Sequence, residues 1–96
     1  MRQRDVVIGG DEGLHLRPAG RLSEKALSFS CTCSMVIGSK TYNLKSVLSV
    51  LSAQVNAGRQ VRLVCEGEDE EEAIEALSAL LAEDTGGSGA PQDMYT

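Results

Sequence analysis

Apolar and polar positions follow two rhythms along this chain, and their succession predicts seven elements. Residues 3 to 8 end in Val6, Val7 and Ile8, a β-prone run closed by Gly9, Gly10 and Asp11. This reads as a first strand. From Leu16 to Leu27 the rhythm lengthens: Ala19, Leu22 and Ala26 recur at helical spacing, with Arg21, Glu24 and Lys25 on the other side, which predicts an amphipathic helix. Residues 31 to 37 return to a loose alternation with Cys33, Met35 and Ile37 on one face, and Lys40 to Leu44 follow after only Gly38 and Ser39. A two-residue loop that opens with glycine suits a type II′ hairpin, so the second and third strands are expected to be adjacent and antiparallel.

Ser46 precedes the apolar segment VLSVLSAQV. A serine in that place is a good N-cap and predicts a short second helix. Gly58 closes the next turn, and Val61, Leu63 and Cys65 alternate with Arg62 and Val64 up to Gly67, a fourth strand. Glu68 to Glu72 then place five acids before Ala73, Ile74, Leu77, Leu80 and Leu81. Such a run is commonly just a solvated face, but acids at a helix start also match its dipole, and a third helix is predicted to about Glu83. The final stretch, 85–96, contains GGSGAPQ and few core-forming residues. It is expected to be a disordered tail behind one domain spanning 1–84. The order β-α-β-β-α-β-α implies the α+β class, one antiparallel sheet with its helices on one face.

Composition narrows the function. Of 96 residues 42% are hydrophobic, with one Phe, two Tyr and no Trp, so the core must be aliphatic. A net charge of −5 without clustered Lys and Arg argues against nucleic acid as a partner. No run is apolar enough for a signal peptide or for membrane insertion, so a cytoplasmic location is expected. Cys31, Cys33 and Cys65 are an odd number without CxxC spacing. They support neither a disulfide framework nor a zinc site and read as reduced packing residues. No metal and no cofactor is expected. GSKT at 38–41 resembles a P-loop only superficially, since Ser39 occupies the glycine position before the lysine.

The candidate chemistry lies in GLHLRPA, residues 13–19, which holds the only histidine. Gly13 allows an unusual turn, and Pro18 favours a first helical turn, where its missing N–H costs little. His15 would stand at the helix start. An anion there would meet the backbone N–H groups of Leu16 and Arg17 and the Arg17 guanidinium. A lone histidine between a glycine and a proline is also what an ordinary turn into a helix looks like. With one histidine there is no Ser-His-Asp or Cys-His arrangement for a stand-alone catalyst.

GLHLRPA is similar to the active-site pattern of the HPr family, the histidine-containing phosphocarriers of the bacterial phosphoenolpyruvate-dependent sugar phosphotransferase system (PTS). KTYNLKSVLSVLS resembles that family's second signature, in which a serine opens the second helix. The resemblance covers about residues 3 to 83. It implies an open-faced β-sandwich with sheet order 1-4-2-3. It also implies that His15 accepts a phosphoryl group on Nδ1 from enzyme I and passes it to the A component of an enzyme II, with Arg17 stabilising the phosphate. Ser46 aligns with a regulatory serine that a dedicated HPr kinase/phosphorylase modifies. The docking surface would comprise Leu16, Gly20, Arg21, Val47, Leu48 and Leu51, with Leu16 and Leu48 the exposed members, and the carrier would act as a monomer.

The chain departs from the usual pattern at Glu12, Leu16, Glu24, Leu27 and Ser49. These positions bear on partner choice: Glu24, Leu27 and Ser49 stand where many carriers of the family have basic residues, so the partner is expected to be less acidic, or to be met mainly by Arg21 and Lys45. GRQV and the run of glutamates are similar to the nitrogen-related branch of the family, whereas YNLKS is similar to the sugar branch. A regulatory role in the nitrogen branch, or an adaptor that does not transfer phosphate, stands as the alternative.

Overall fold

A computed structural model describes residues 1–10, 13, 14 and 16–83. His15, Glu12 and the tail expected at 85–96 lie outside the described residues. Seven elements follow one another: β1 (Arg2–Val7), α1 (Leu16–Leu27), β2 (Thr32–Ile37), β3 (Lys40–Asn43), α2 (Val47–Ser52), β4 (Gln60–Glu66) and α3 (Glu70–Ala82). The four strands form one sheet in the order β1-β4-β2-β3, and every neighbouring pair is antiparallel. The α+β class and the strand order stand as the sequence and its family resemblance suggested.

Period-two alternation produces the covered face. Along β4, Val61, Leu63 and Cys65 are buried while Gln60, Arg62 and Glu66 are exposed. Cys33 and Met35 of β2 point the same way and meet Cys65 and Leu63 directly across the ladder. On this face pack Ala19, Leu22 and Ala26 of α1, Val50 of α2, and Ala73, Ile74, Leu77 and Leu81 of α3. The β2–β3 hairpin turns through Gly38 at φ +62°, while Ser39 keeps a negative φ. That is the type II′ pattern the glycine predicts.

The acidic run does more than face solvent and complement the dipole of α3. The Asp69 carboxylate accepts the backbone N–H groups of Ser30 and Cys31, each at 2.9 Å. These bonds, the one from Ser30 foremost, hold its carboxyl down at about 2. Glu70 accepts the Gly67 N–H at 3.0 Å. Glu71 and Glu75 pair with Arg2 and Arg4 at 2.9 and 2.6 Å, so two turns of α3 clasp the edge strand β1, where Val6 is the one buried residue.

The cysteines are the reduced packing residues expected, and they also cluster. All three are buried and free, and their sulfur atoms lie within 4.8 Å of one another. Burial pushes the Cys31 thiol up to about 12 and the Cys65 thiol up to about 11. The sequence conceals the cluster because Cys31 and Cys33 share a face only through strand periodicity, and Cys65 joins them only through the register of β4 on β2. No helix among the described residues is long and apolar enough to cross a membrane.

Candidate functional site

Three chain segments fix the approach to α1. The Ile8 N–H donates to Arg59 O at 2.9 Å and the Gly58 N–H donates to Ile8 O at 2.8 Å, tying the end of β1 to the turn before β4. The Leu14 N–H donates to Val55 O at 3.0 Å, and the Leu14 side chain is buried. Gly13 sits at φ +79°, and a Cβ there would lie 2.2 Å from Val55 O and 2.7 Å from Asn56 Cα. Glycine is therefore required twice, for its dihedral and for the closeness of the backbone beside it. The loop at 55–57 is a structural member of the site that sequence reading missed, because no local signal links it to Gly13.

The first turn of α1 then faces solvent where chemistry needs it. Leu16 and Arg17 are exposed, while Pro18 and Ala19 turn inward. A helix has no internal acceptor for its first N–H groups. Pro18 has none to offer, which leaves those of Leu16 and Arg17. No acidic side chain lies in this first turn, so nothing there opposes the positive end of the helix dipole. Such a terminus, with a guanidinium on its outer side, suits an anion. His15, immediately before it in the chain, is outside the described residues, so its ring geometry forms no part of this description.

The second signature falls on α2. Ser46 is its N-cap, and Ser46 Oγ accepts the Ser49 N–H at 3.2 Å. Ser49 Oγ accepts the Asn43 N–H at 3.0 Å, fastening the end of β3 to α2. Of the apolar residues on this helix, Val50 is core, Val47 and Leu51 are partly buried against it, and Leu48 is 80% exposed. Leu16 on α1, which packs against α2, is 68% exposed. Gly20 has open space where a Cβ would be, so it leaves a flat area on α1 rather than serving a close internal contact.

The expected cationic positions are engaged within the fold. Arg21 donates to Glu83 at 3.1 Å, tying α1 to the end of α3. Lys45 Nζ donates to Phe29 O at 2.8 Å. Glu24 and Leu27 are exposed.

Residues 2–83 match the family model described as the PTS HPr component phosphorylation site. The chain belongs to the HPr family. It is 44% identical over 83 residues to the phosphocarrier protein HPr of Lysinibacillus sphaericus, covering 86% of this chain and 94% of that protein. Among solved structures it is similar to an HPr of Thermoanaerobacter tengcongensis, with a TM-score of 0.81 and 38% identity over 84% of this chain and 91% of that one. It is also similar to Crh, a catabolite-repression protein of Bacillus subtilis solved as a domain-swapped dimer. There the TM-score is 0.72 and the identity 34%, over 88% of this chain and 98% of that one. HPr proteins are phosphocarriers of the PTS, and this HPr-family chain has their three helices and four-stranded sheet.

Proposed function

We propose that this chain is a cytoplasmic, monomeric phosphocarrier that takes a phosphoryl group from enzyme I on His15 Nδ1 and gives it to the A component of an enzyme II. The observation that carries this reading is the exposed first turn of α1, opening at Leu16 directly behind His15, with Gly13 locked in place ahead of it. In the transfer, the lone pair of the His15 nitrogen attacks the phosphorus of the donor phosphohistidine. A new N–P bond forms as the donor N–P bond breaks, and the electron pair of that bond returns to the donor imidazole. Passage to enzyme II repeats the step in the other direction. The chain turns over nothing by itself and acts as a stoichiometric carrier.

The N–H groups of Leu16 and Arg17 and the Arg17 guanidinium would meet the phosphoryl oxygens. All of these face solvent, where charge-assisted bonds are weakened by water, and a carrier needs a hold loose enough to release its cargo. Leu16, Gly20, Val47, Leu48 and Leu51 form the docking surface, with Arg21 at its margin. The two exposed leucines supply apolar contact of the kind that marks a protein interface.

Phosphorylation of Ser46 by an HPr kinase/phosphorylase would act on the same surface. A phosphate at the N-cap of α2 favours the helix dipole, but it sets negative charge beside Val47 and Leu48 and so weakens enzyme I docking. A regulatory role is the second reading. It is supported by the engagement of Arg21 with Glu83 and of Lys45 with Phe29, which leaves less positive charge for an acidic enzyme I.

Incubation with phosphoenolpyruvate and the cognate enzyme I tests the carrier reading. The expected product is an acid-labile, base-stable phosphate that is absent in His15→Ala. Arg17→Ala should transfer more slowly with an unchanged fold, and equal rates would refute its role. Failure of the unaltered protein to accept phosphate, with modification of Ser46 by ATP and a kinase alone, would establish the regulatory reading instead.

A further inference from the structure

The three cysteines stand apart from the machinery above, at the other end of α1, about 18 Å along the helix from its first turn. Cys31 immediately precedes β2, Cys33 lies on the inward face of that strand, and Cys65 of β4 is directly opposite Cys33. They are 2%, 1% and 0% exposed. Cys31 Sγ and Cys33 Sγ are 3.8 Å apart, and all three sulfurs lie within 4.8 Å of one another. Three sulfurs bound to one atom at about 2.3 Å stand about 3.5 Å from each other when the centre is pyramidal and about 4 Å when it is planar, so a central atom of either kind fits with small side-chain rotations. Packing accounts for each cysteine as a small apolar residue. Strand periodicity and the register of β4 on β2 bring the three sulfurs together, and together they make a donor set that none makes alone.

The donor set selects the guest. Thiolates favour soft ions, and no fourth His, Cys, Asp or Glu ligand joins the group among the described residues. Zinc favours four ligands, one more than these three sulfurs supply. Charge narrows the choice further. Three thiolates around Zn(II) leave one net negative charge in the core, and around Cu(I) they leave two. The Asp69 carboxylate, which accepts the Cys31 N–H, repels that excess, as Glu70 does at Cys65, while the Lys45 ammonium attracts it at Cys33. An uncompensated buried charge is costly, whereas a trivalent centre leaves none.

We propose that Cys31, Cys33 and Cys65 form a three-coordinate, all-sulfur site for trivalent arsenic taken up as arsenite. Three S–As bonds replace the three O–As bonds of arsenous acid. Each thiol proton leaves with one hydroxyl as water, the oxidation state of arsenic is unchanged, and no charge enters the core. The backbone at Gly67 closes over the site, since a Cβ there would lie 2.7 Å from Cys31 Cα and Cβ. Uptake therefore requires local opening and is slow compared with reaction at a surface thiol.

The test uses the full chain, reduced and freed of reductant, incubated separately with arsenite, Zn(II) and Cu(I). Native mass spectrometry should show one arsenic per chain in place of three protons, and X-ray absorption should show three sulfur neighbours and no oxygen. Arsenite should raise the melting temperature of the unaltered protein, a readout that needs no variant. Cys65→Ala and Cys31→Ala, checked for folding by circular dichroism, should lose both the adduct and the shift. His15→Ala should keep them while losing phosphotransfer, which separates this proposal from the carrier reading. Absence of the adduct, an arsenic that retains oxygen, or an adduct unchanged in Cys65→Ala would overturn the site. Displacement of arsenic by equimolar Zn(II) or Cu(I) would overturn the choice of ion.

Discussion

Gly13 carries two constraints in one residue, a left-handed φ of +79° and a backbone neighbour 2.2 Å from where a Cβ would be. Gly13→Ala should therefore lower stability by about 2 kcal/mol or more, because strain and overlap add. Urea denaturation at neutral pH measures it, and a loss below about 0.5 kcal/mol would mean that the 55–57 loop gives way freely. The first constraint is legible in the sequence, where glycine before a helix signals a turn. The second is not, because its partner comes from a loop far along the chain. Ser23 is the opposite case. Its Oγ is buried on α1 with no hydrogen-bond partner among the described residues, and an unsatisfied buried hydroxyl costs about 1–3 kcal/mol. Ser23→Ala should thus leave the protein equally stable or more stable by up to about 1 kcal/mol. A marked loss in the same denaturation experiment would reveal a partner for that hydroxyl.

The helices differ in how much of their ends the sequence displays. The bounds of α1 at Leu16 and Leu27 follow from a strong 3.6-residue rhythm with a proline in the first turn, and Ser46 caps α2 as its type and place imply. The start of α3 is harder to read, because a row of five acids looks alike from end to end while the fold gives its members different tasks. Asp69, at the N-cap position of α3, makes no side-chain cap bond to its own helix and instead binds the amides that lead into β2. Its carboxyl is held at about 2, below the ordinary 3.8. A group depressed in the folded state contributes stability that is present above about 4 and is lost as the pH falls toward about 2. Asp69→Asn should consequently be less stable than the unaltered protein at pH 7, with the gap closing between pH 4 and pH 2. Urea midpoints at those three values check this, and a gap independent of pH would show that the hydrogen bonds matter without the charge.

At the scale of the whole molecule, local pairings are visible in the sequence and distant ones are not. The β2–β3 hairpin can be read from its two-residue glycine loop. The pairing of β1 with β4, and of β4 with β2, joins segments far apart in the chain, and the family resemblance rather than the alternation supplied that order. The thiol cluster depends on the second of these pairings, which is why no spacing rule finds it. The same fold sets two apolar residues of one short helix to opposite duties. Val50 is fully buried, and Leu48, two positions earlier, is 80% exposed. Removing methyl groups from a filled core leaves a cavity, so Val50→Ala should cost about 2 kcal/mol, while Leu48→Ala should stay within about 0.5 kcal/mol of the original. If α2 is a docking surface, phosphoryl transfer from enzyme I should respond in the reverse order. Leu48→Ala should slow it at limiting carrier concentration through weaker association, and Val50→Ala should transfer normally wherever it remains folded. Stability by denaturation and initial transfer rates on the same two proteins decide it, and an unaltered rate for Leu48→Ala would remove that leucine from the partner-facing surface.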